Sequence, residues 1–570
     1  MNQLVECVPN ISEGKDHVVI DAVTAVIEKV DGVRLLDVDP GAETNRTVIT
    51  FIGPPNGVEE AAFRVVQKAA QLIDMTKHKG AHPRHGATDV CPFVPVRGVT
   101  MADCVAIAHR VGERIGSELG IPVYLYEEAA LIPERHNLAF CRQGEYEALN
   151  TKLGTDQWKP DFGPNEFNSH VARTGATNVG ARQFLVAYNV NLNTRSRQIA
   201  SDIAMDIREA GRAQRDEEGK IVRDEAGQAI KVPGTLKAAK AVGWIIPEYD
   251  RAQISINLVN TDITKPHEAF EEVRRQARQR GVRVTGSELV GLIPERDLLA
   301  AGKYYLRAAG QSAGVPRKMI IETAIQSLGL REIAPFKTSE KIVEYQAGLT
   351  DGPLVCMSNR EFVDELSTDS PAPGGGSVAA LIAAQAAALT AMVANLTVGK
   401  KGYESAQERI KEIAEEAQEA KDIFLSAMDE DTAAFNAVMD CFRLPRKTPE
   451  QKKSRELATA AATRAATQVP LSVLARIPGL LALVAEIVEI GNQNSLSDAG
   501  VAALSAMSAG EGAYFNVLIN LASLHDLDQT EDPEFVAAVH TSAVRAMQSS
   551  EKSFLAIRQM VRDQLESALA

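Results

Sequence analysis

Two related α+β subdomains followed by an all-α helical bundle is the architecture this sequence predicts, and three observations predict it. A strand, helix, strand, strand, helix order of apolar patterning opens the chain and recurs after residue 183. A Gly- and Pro-bearing stretch, Ala347-Gly348-Leu349-Thr350-Asp351-Gly352-Pro353, then interrupts it. Beyond that stretch the periodicity is helical, beginning with residues 378–396, 19 residues without a charge. The expected boundaries are 1–182 and 183–345 for the two α/β-sandwich subdomains, 346–355 for a linker and 356–570 for the helical domain.

The run Leu4-Val5-Glu6-Cys7-Val8-Pro9 is β-rich and broken by Pro9, and the polar residues after it supply caps for a helix over 17–30. Strands follow over 33–38 and 47–52. The polar connection between them, Asp39-Pro40-Gly41-Ala42-Glu43-Thr44-Asn45-Arg46, brings a carboxylate and a guanidinium to a sheet end. Ala62, Val65, Val66, Ala69, Leu72 and Ile73 share one side of a helix over 58–74. In the second copy a strand over 184–192 ends in asparagines, a helix covers 194–209, strands cover 241–246 and 253–258, and a helix over 266–280 closes the set. An excursion over 212–234, with acidic Gly-containing turns, reads as an exposed hairpin.

Composition bounds the function. With 45% apolar and 24% charged residues the chain is a folded globular protein, and a net charge of -14 disfavours nucleic acid or an anionic membrane as a partner. The six cysteines (Cys7, Cys91, Cys104, Cys141, Cys356 and Cys441) have neither CxxC spacing nor disulfide density, which points to a reducing compartment. The first residues lack a basic and an apolar signal region, so a cytoplasmic location is expected. The uncharged run 378–396 is rich in alanine and carries Gln385, Thr390 and Asn395, which suits a close-packed bundle helix better than a membrane span.

Chemistry concentrates in residues 77–89, Lys77-His78-Lys79-Gly80-Ala81-His82-Pro83-Arg84-His85-Gly86-Ala87-Thr88-Asp89. Side chains that titrate near neutral pH here stand beside cations able to hold a carboxylate. Three readings of His82 stand at this point: a structural histidine, a metal ligand together with His78 and His85, or a proton-transfer group. Pro83 and the neighbouring cations weigh against the metal. The Gly-rich segments around Gly163, Pro164 and Asn165 and around Gly175, Ala176 and Thr177 lie just before the second copy, where a ligand cleft is common.

In the helical part, Gly374, Gly375, Gly376 and Ser377 precede the apolar run, where free N–H groups favour an anion; a flexible cap is the structural alternative. Asp431 continues the apolar stripe Ile410, Ile413, Ala417, Phe424 and Met428, whereas Asp429 and Glu430 point elsewhere. A carboxyl on that face is partly desolvated and has a raised pKa; a structural ion pair is the alternative role. Asn492, Asn494 and Asp498 form a polar cluster, and Asn516 sits on an apolar helix; buried amides need partners or a ligand.

These motifs together resemble one family. Residues 4–14, Asp37-Val38-Asp39, Asn45-Arg46-Thr47, His82-Pro83-Arg84, Asp161-Phe162-Gly163-Pro164 and residues 286–292 are similar to the transferase part of the formimidoyltransferase-cyclodeaminases. Residues 371–377, Asp429-Glu430-Asp431 and Ser497-Asp498-Ala499-Gly500 are similar to the cyclodeaminase part. The resemblance implies transfer of a formimidoyl group from N-formimidoyl-L-glutamate to tetrahydrofolate, then closure to 5,10-methenyltetrahydrofolate with loss of ammonia. It matches His82 to the catalytic histidine and Asp431 to the catalytic aspartate. It implies transferase substrate contacts from Asp39, Asn45, Arg46, Arg84, Gly163, Pro164, Asn165, Gly175, Ala176 and Thr177. For the cyclodeaminase it implies contacts from Gly374, Gly375, Gly376, Ser377, Asn492, Asn494, Asp498 and Asn516. Tetrahydrofolate, as its polyglutamate, enters as co-substrate, with no metal and no tightly bound cofactor, and the family's ring assembly implies a homo-oligomer, an octamer by analogy. The runner-up is a transferase alone, its helical domain serving assembly or folate binding. A non-enzymatic scaffold or folate-binding protein is the other class to weigh.

Overall fold

Proline cannot donate to a β-ladder, and Pro9 divides the first strand into β1 (Leu4–Cys7) and β2 (Asn10–Ile11). Both halves lie between β4 (Arg46–Gly53) and β5 (Thr88–Arg97), antiparallel to each. The computed structural model describes residues 3–42, 44–80, 82–225, 227–246, 250–349, 352–527 and 533–567. Glu43 of the 39–46 connection, Ala81 of the 77–89 stretch and Thr350 and Asp351 of the expected linker lie outside the described residues. β3 (Arg34–Gly41) pairs with β4 on the outer side, while β7 (Thr177–Ala181) runs parallel to both β5 and β6 (Val123–Glu127). Strands β4, β5, β6 and β7 therefore all begin at the same end of this sheet, and that end carries the first site.

Helices α1 (His17–Thr24), α2 (Pro55–Leu72) and α3 (Met101–Leu119) cover one face of the sheet, against Ile49, Phe51 and Phe93. The helix expected over 17–30 stops at Thr24. Its hydroxyl donates back to the Ile20 and Asp21 carbonyls, and the chain continues in i to i−3 turns. On the other face Leu36 and Ile52 are closed over by Val343, Phe184 and Leu292.

The second sheet is antiparallel throughout, in the order β11 (Ala239–Ile246), β12 (Arg251–Leu258), β8 (Val186–Leu192) and β13 (Val284–Val290). Alternation puts Val186, Tyr188, Val190 and Leu192 in the core, the first three in register with Leu258, Ile256 and Ile254. Helix α4 (Arg197–Ile207) lies so close on this face that a Cβ at Gly243 would collide with the Ser201 backbone, and α5 (Pro266–Gln279) packs beside it. The excursion forms a two-stranded ribbon, β9 (Arg212–Ala213) with β10 (Lys231–Val232).

The chain clusters into two compact units, 1–301 with 325–349, and 302–324 with 350–570. The second is built of α6 (Gly375–Asn395), α7 (Gln407–Phe442), α8 (Pro449–Ile490), α9 (Leu496–Leu527) and α10 (Pro533–Ser567). Two α+β subdomains followed by a helical region are thus the fold of this chain. α6 and α8 are long and apolar enough to cross a membrane, but 61% and 50% of their most apolar windows are buried within the protein. The reason is packing: Ala379, Ala383, Ala387 and Ala394 of α6 share one core with Ala502, Ala506 and Ala513 of α9, small residues that let the backbones approach.

Candidate functional sites

The 77–89 segment runs along the sheet end where β4 and β5 begin. It lies so close to the 44–46 turn that a Cβ on Gly80 would collide with the Thr44 carbonyl, and one on Gly86 with the Ala176 carbonyl. Glycine is required at both points. The three histidines do not converge. His78 Nε2 lies 2.9 Å from the Asn45 carbonyl and its Nδ1 accepts from Arg84 Nε, so it pins the turn. His85 is fully buried against Tyr124, with Nδ1 3.3 Å from Asn178 Oδ1. His82 is half-exposed. The metal reading of the three has no geometric basis, and among the described residues no group of three or more His, Cys, Asp or Glu is arranged to hold a metal ion.

His82 Nδ1 is 2.6 Å from the carbonyl of its neighbour Pro83, and its Nε2 is 2.6 Å from Arg46 Nη1. The first contact needs a proton on Nδ1; Arg46 Nη1, which is also 3.2 Å from Nδ1, lies beside the ring and not along the Nε2 lone pair. Burial and the Arg46 charge lower the His82 pKa below the ordinary imidazole value, so the ring is neutral at pH 7. Behind Arg46 stands Asp89, wholly buried at the head of β5. It takes two hydrogen bonds from Arg142, one from the His85 backbone and an ion pair at 3.4 Å from Arg46 Nη2. Burial holds the Arg46 pKa down at about 10, still cationic at neutral pH.

Several expected contacts are placed elsewhere or used otherwise. Arg84, expected to clamp a carboxylate of the substrate, is spent on Glu145 and Glu147. Asn45 accepts from Gly14 N and donates to the Lys79 carbonyl, a pin for the turn. Asp39 is exposed on β3 in register with Val48, on the same face as Arg46. Gly175, Ala176 and Thr177 are buried and support the loop by backbone contacts, Ala176 N donating to the His85 carbonyl and Gly175 bridging Gly86. Gly163, Pro164 and Asn165 lie next to the start of β6. That is four strands from Arg46, roughly 19 Å at the usual strand spacing.

Asp89 and Arg142 were not legible as site residues, although a lone carboxylate heading the apolar run 90–96 was a signal. The polar face of the second sheet also went unread. Gln253 Nε2 donates to Asn191 Oδ1 and Glu288 Oε2, and Asn189 stands next to them, all on the face away from α4 and α5. The Asn189, Asn191 alternation was its signal.

In the helical unit the start of α6 meets the middle of α7. Ser377 Oγ is 3.0 Å from Asp431 Oδ2, 3.0 Å from the Met428 carbonyl and 3.1 Å from Thr432 Oγ1. A Cβ on Gly376 would strike Asp431 Oδ1, and one on Gly375 would touch the Asn516 amide at 3.4 Å. Gly375, Gly376, Ser377, Asp431 and Asn516 are therefore one cluster, with Gly374 at the cap. Burial raises the Asp431 pKa despite hydrogen bonds from Ser377 that lower it. Asp429 turns away and accepts from the backbone of Leu354 and Val355.

Asn492, Asn494 and Asp498, expected with this cluster, lie at the other end of α6. Asn492 N donates to Thr397 Oγ1 and its Oδ1 accepts from Lys400 and from Asn494 N, so its burial is satisfied locally. The 21 residues of α6 separate the two ends by about 30 Å.

The α+β unit thus presents a neutral imidazole and the helical unit a desolvated carboxyl, each a group whose chemistry suits proton transfer. Family models match most of the chain: the formiminotransferase domain, N-terminal subdomain, over 4–182, the formiminotransferase domain over 187–348, and formiminotransferase-cyclodeaminase over 358–538. The chain is 43% identical over 529 residues to the formimidoyltransferase-cyclodeaminase of Mus musculus, covering 92% of this chain and 94% of that one. It is 40% identical over 569 residues to that of Dictyostelium discoideum, covering 99% and 100%. The glutamate formimidoyltransferase of Streptococcus pyogenes serotype M1 is 43% identical over 307 residues, 54% of this chain and 94% of the relative. The chain belongs to the formimidoyltransferase-cyclodeaminase family.

Proposed function

We propose that this chain transfers a formimidoyl group from N-formimidoyl-L-glutamate to tetrahydrofolate at His82 and then cyclises 5-formimidoyltetrahydrofolate to 5,10-methenyltetrahydrofolate at Asp431, releasing ammonia. The first reaction belongs to the segments 1–182 and 183–345, the second to 356–570. In the transfer, N5 of tetrahydrofolate attacks the amidine carbon and must lose a proton, and the glutamate nitrogen must gain one to leave. A neutral imidazole can take the first and return the second. In the cyclisation N10 attacks the same carbon, and the amino group leaves as ammonia once protonated. A carboxyl whose pKa is raised by burial is the group suited to deliver that proton.

The observation that carries the two-site reading is Asp431, with Ser377, Gly376 and Asn516 gathered round it: a helical domain serving only assembly has no need of a desolvated acid at a glycine-lined helix start. Tetrahydrofolate polyglutamate is the co-substrate, the location is cytoplasmic, and the chain works as a homo-oligomer, an octamer, whose mass light scattering would read.

Variants separate the activities. His82→Ala is expected to lose the transfer by at least about 100-fold, within the range general base catalysis contributes, yet to convert supplied 5-formimidoyltetrahydrofolate at the wild-type rate. Asp431→Asn should do the reverse and accumulate that intermediate. Loss of both activities in either folded variant, or of neither, contradicts the assignment.

A further inference from the structure

Ser377 of α6 has no surface left for a substrate. It is fully buried, and its Oγ has three oxygen neighbours on α7: the Met428 carbonyl at 3.0 Å, Asp431 Oδ2 at 3.0 Å and Thr432 Oγ1 at 3.1 Å. A serine hydroxyl has one hydrogen to donate and two lone pairs that accept. With Thr432 donating to a lone pair, the single hydrogen of Ser377 has two acceptors at equal distance, and they are unequal in strength. A neutral carboxyl oxygen is a weaker acceptor than a peptide carbonyl, whereas an ionised carboxylate is stronger, since its hydrogen bonds are roughly twice as strong as neutral ones. The charge on Asp431 therefore decides where the hydroxyl points, and nothing heavier than hydrogen has to move.

We propose that Ser377 is the positioning residue of the cyclodeaminase acid: its hydrogen rests on the Met428 carbonyl while Asp431 is protonated and turns to Asp431 Oδ2 as that carboxyl gives its proton to the departing amino group. The proposal rests on the cyclodeaminase reading of Asp431. From the amidinium form of 5-formimidoyltetrahydrofolate the step balances with no further reactant. N10 bonds to the amidine carbon, the bond from that carbon to the amino nitrogen breaks with its electron pair on nitrogen, and the Asp431 proton completes ammonia. The hydrogen lost by N10 restores the acid, and the methenyl product keeps the positive charge. Because the charge-assisted bond exists only while Asp431 is ionised, it stabilises the transition state and not the bound substrate, the kind of interaction that raises kcat. Among the described residues no charged side chain shares in this control. α6 faces the carboxyl with Gly376 and Ser377, and α9 brings the uncharged Asn516 amide to Gly375. On α7 itself Asp429 accepts from the Leu354 and Val355 backbone, and Glu430 is exposed.

Steady-state rates of the full chain on supplied 5-formimidoyltetrahydrofolate, taken across pH, test this. Ser377→Ala is expected to lower kcat by at least about ten-fold with KM within about three-fold of wild type, because the lost bond is made only in the transition state. A hydroxyl that donates to the ionised carboxylate favours ionisation. Its removal keeps Asp431 protonated to higher pH, so the alkaline limb of kcat should move up by about one pH unit. Ser377→Cys fills the same buried space with a weak donor and should lie between wild type and Ser377→Ala in both kcat and limb, which carries the test should the alanine variant not fold. An alkaline limb that stays at the wild-type position in the variants, or a rise in KM with kcat unchanged, overturns the proposal. A fully active Asp431→Asn variant would instead remove the cyclodeaminase reading itself, so the two failures are distinguishable.

Discussion

His82 and His85 stand three residues apart and are lowered in pKa by the same agent, burial, with different consequences. For His82 the charged groups in reach are Arg46, Arg142 and Asp89, and the sign of the shift favours a base: the neutral form persists below the ordinary imidazole pKa of about 6.5. The transferase kcat/KM is therefore predicted to hold its plateau on the acid side past pH 6.5 before falling. An acid limb centred above 6.5 in a pH-rate profile would contradict it. His85, pushed down to about 4, is a stability group. Its folded-state pKa is depressed, so its unfolded state binds the proton first, and stability present above pH 6.5 is lost as pH falls towards 4. The difference amounts to on the order of 3 kcal/mol at full protonation of the unfolded state. Denaturant midpoints of His85→Gln should show a flatter loss between pH 6.5 and 4.5 than wild type.

At the scale of elements, the start of α6 is shaped by what faces it. Gly376 leaves room for Asp431, so Gly376→Ala should displace the carboxyl and lower cyclodeaminase kcat by at least about ten-fold, with the transfer at His82 unchanged. Steady-state rates on 5-formimidoyltetrahydrofolate check this. The elements themselves were largely legible, because the alternation of Val186, Tyr188 and Val190 and the stripe ending at Asp431 are both consequences of burying one face. What was not legible depended on partners distant in sequence. Nothing around Arg84 announces Glu145 and Glu147, which lie more than sixty positions away and consume its guanidinium. The length of α6 likewise decides that Asn492 and Asp431 sit at opposite ends, a fact that residue types alone do not carry.

For the whole molecule, the division into an α+β unit and a helical unit puts the two proposed proton-transfer groups on separate cores. Segment 302–324 precedes the expected linker yet clusters with the helical unit, tied by Arg307 to Glu415 and by the Gly314 carbonyl to Asn395 Nδ2. Such ties depend on tertiary packing, which periodicity does not report. The two cores also predict independence of damage, since substitutions in one site leave the other formed.

The most direct test of the two-site account is a coupled reaction of the full chain with N-formimidoyl-L-glutamate and tetrahydrofolate, following glutamate, ammonia and methenyl absorbance together. The account predicts one ammonia and one 5,10-methenyltetrahydrofolate for each glutamate released. Release of glutamate with 5-formimidoyltetrahydrofolate as the end product, and no enzyme-dependent ammonia, would contradict it.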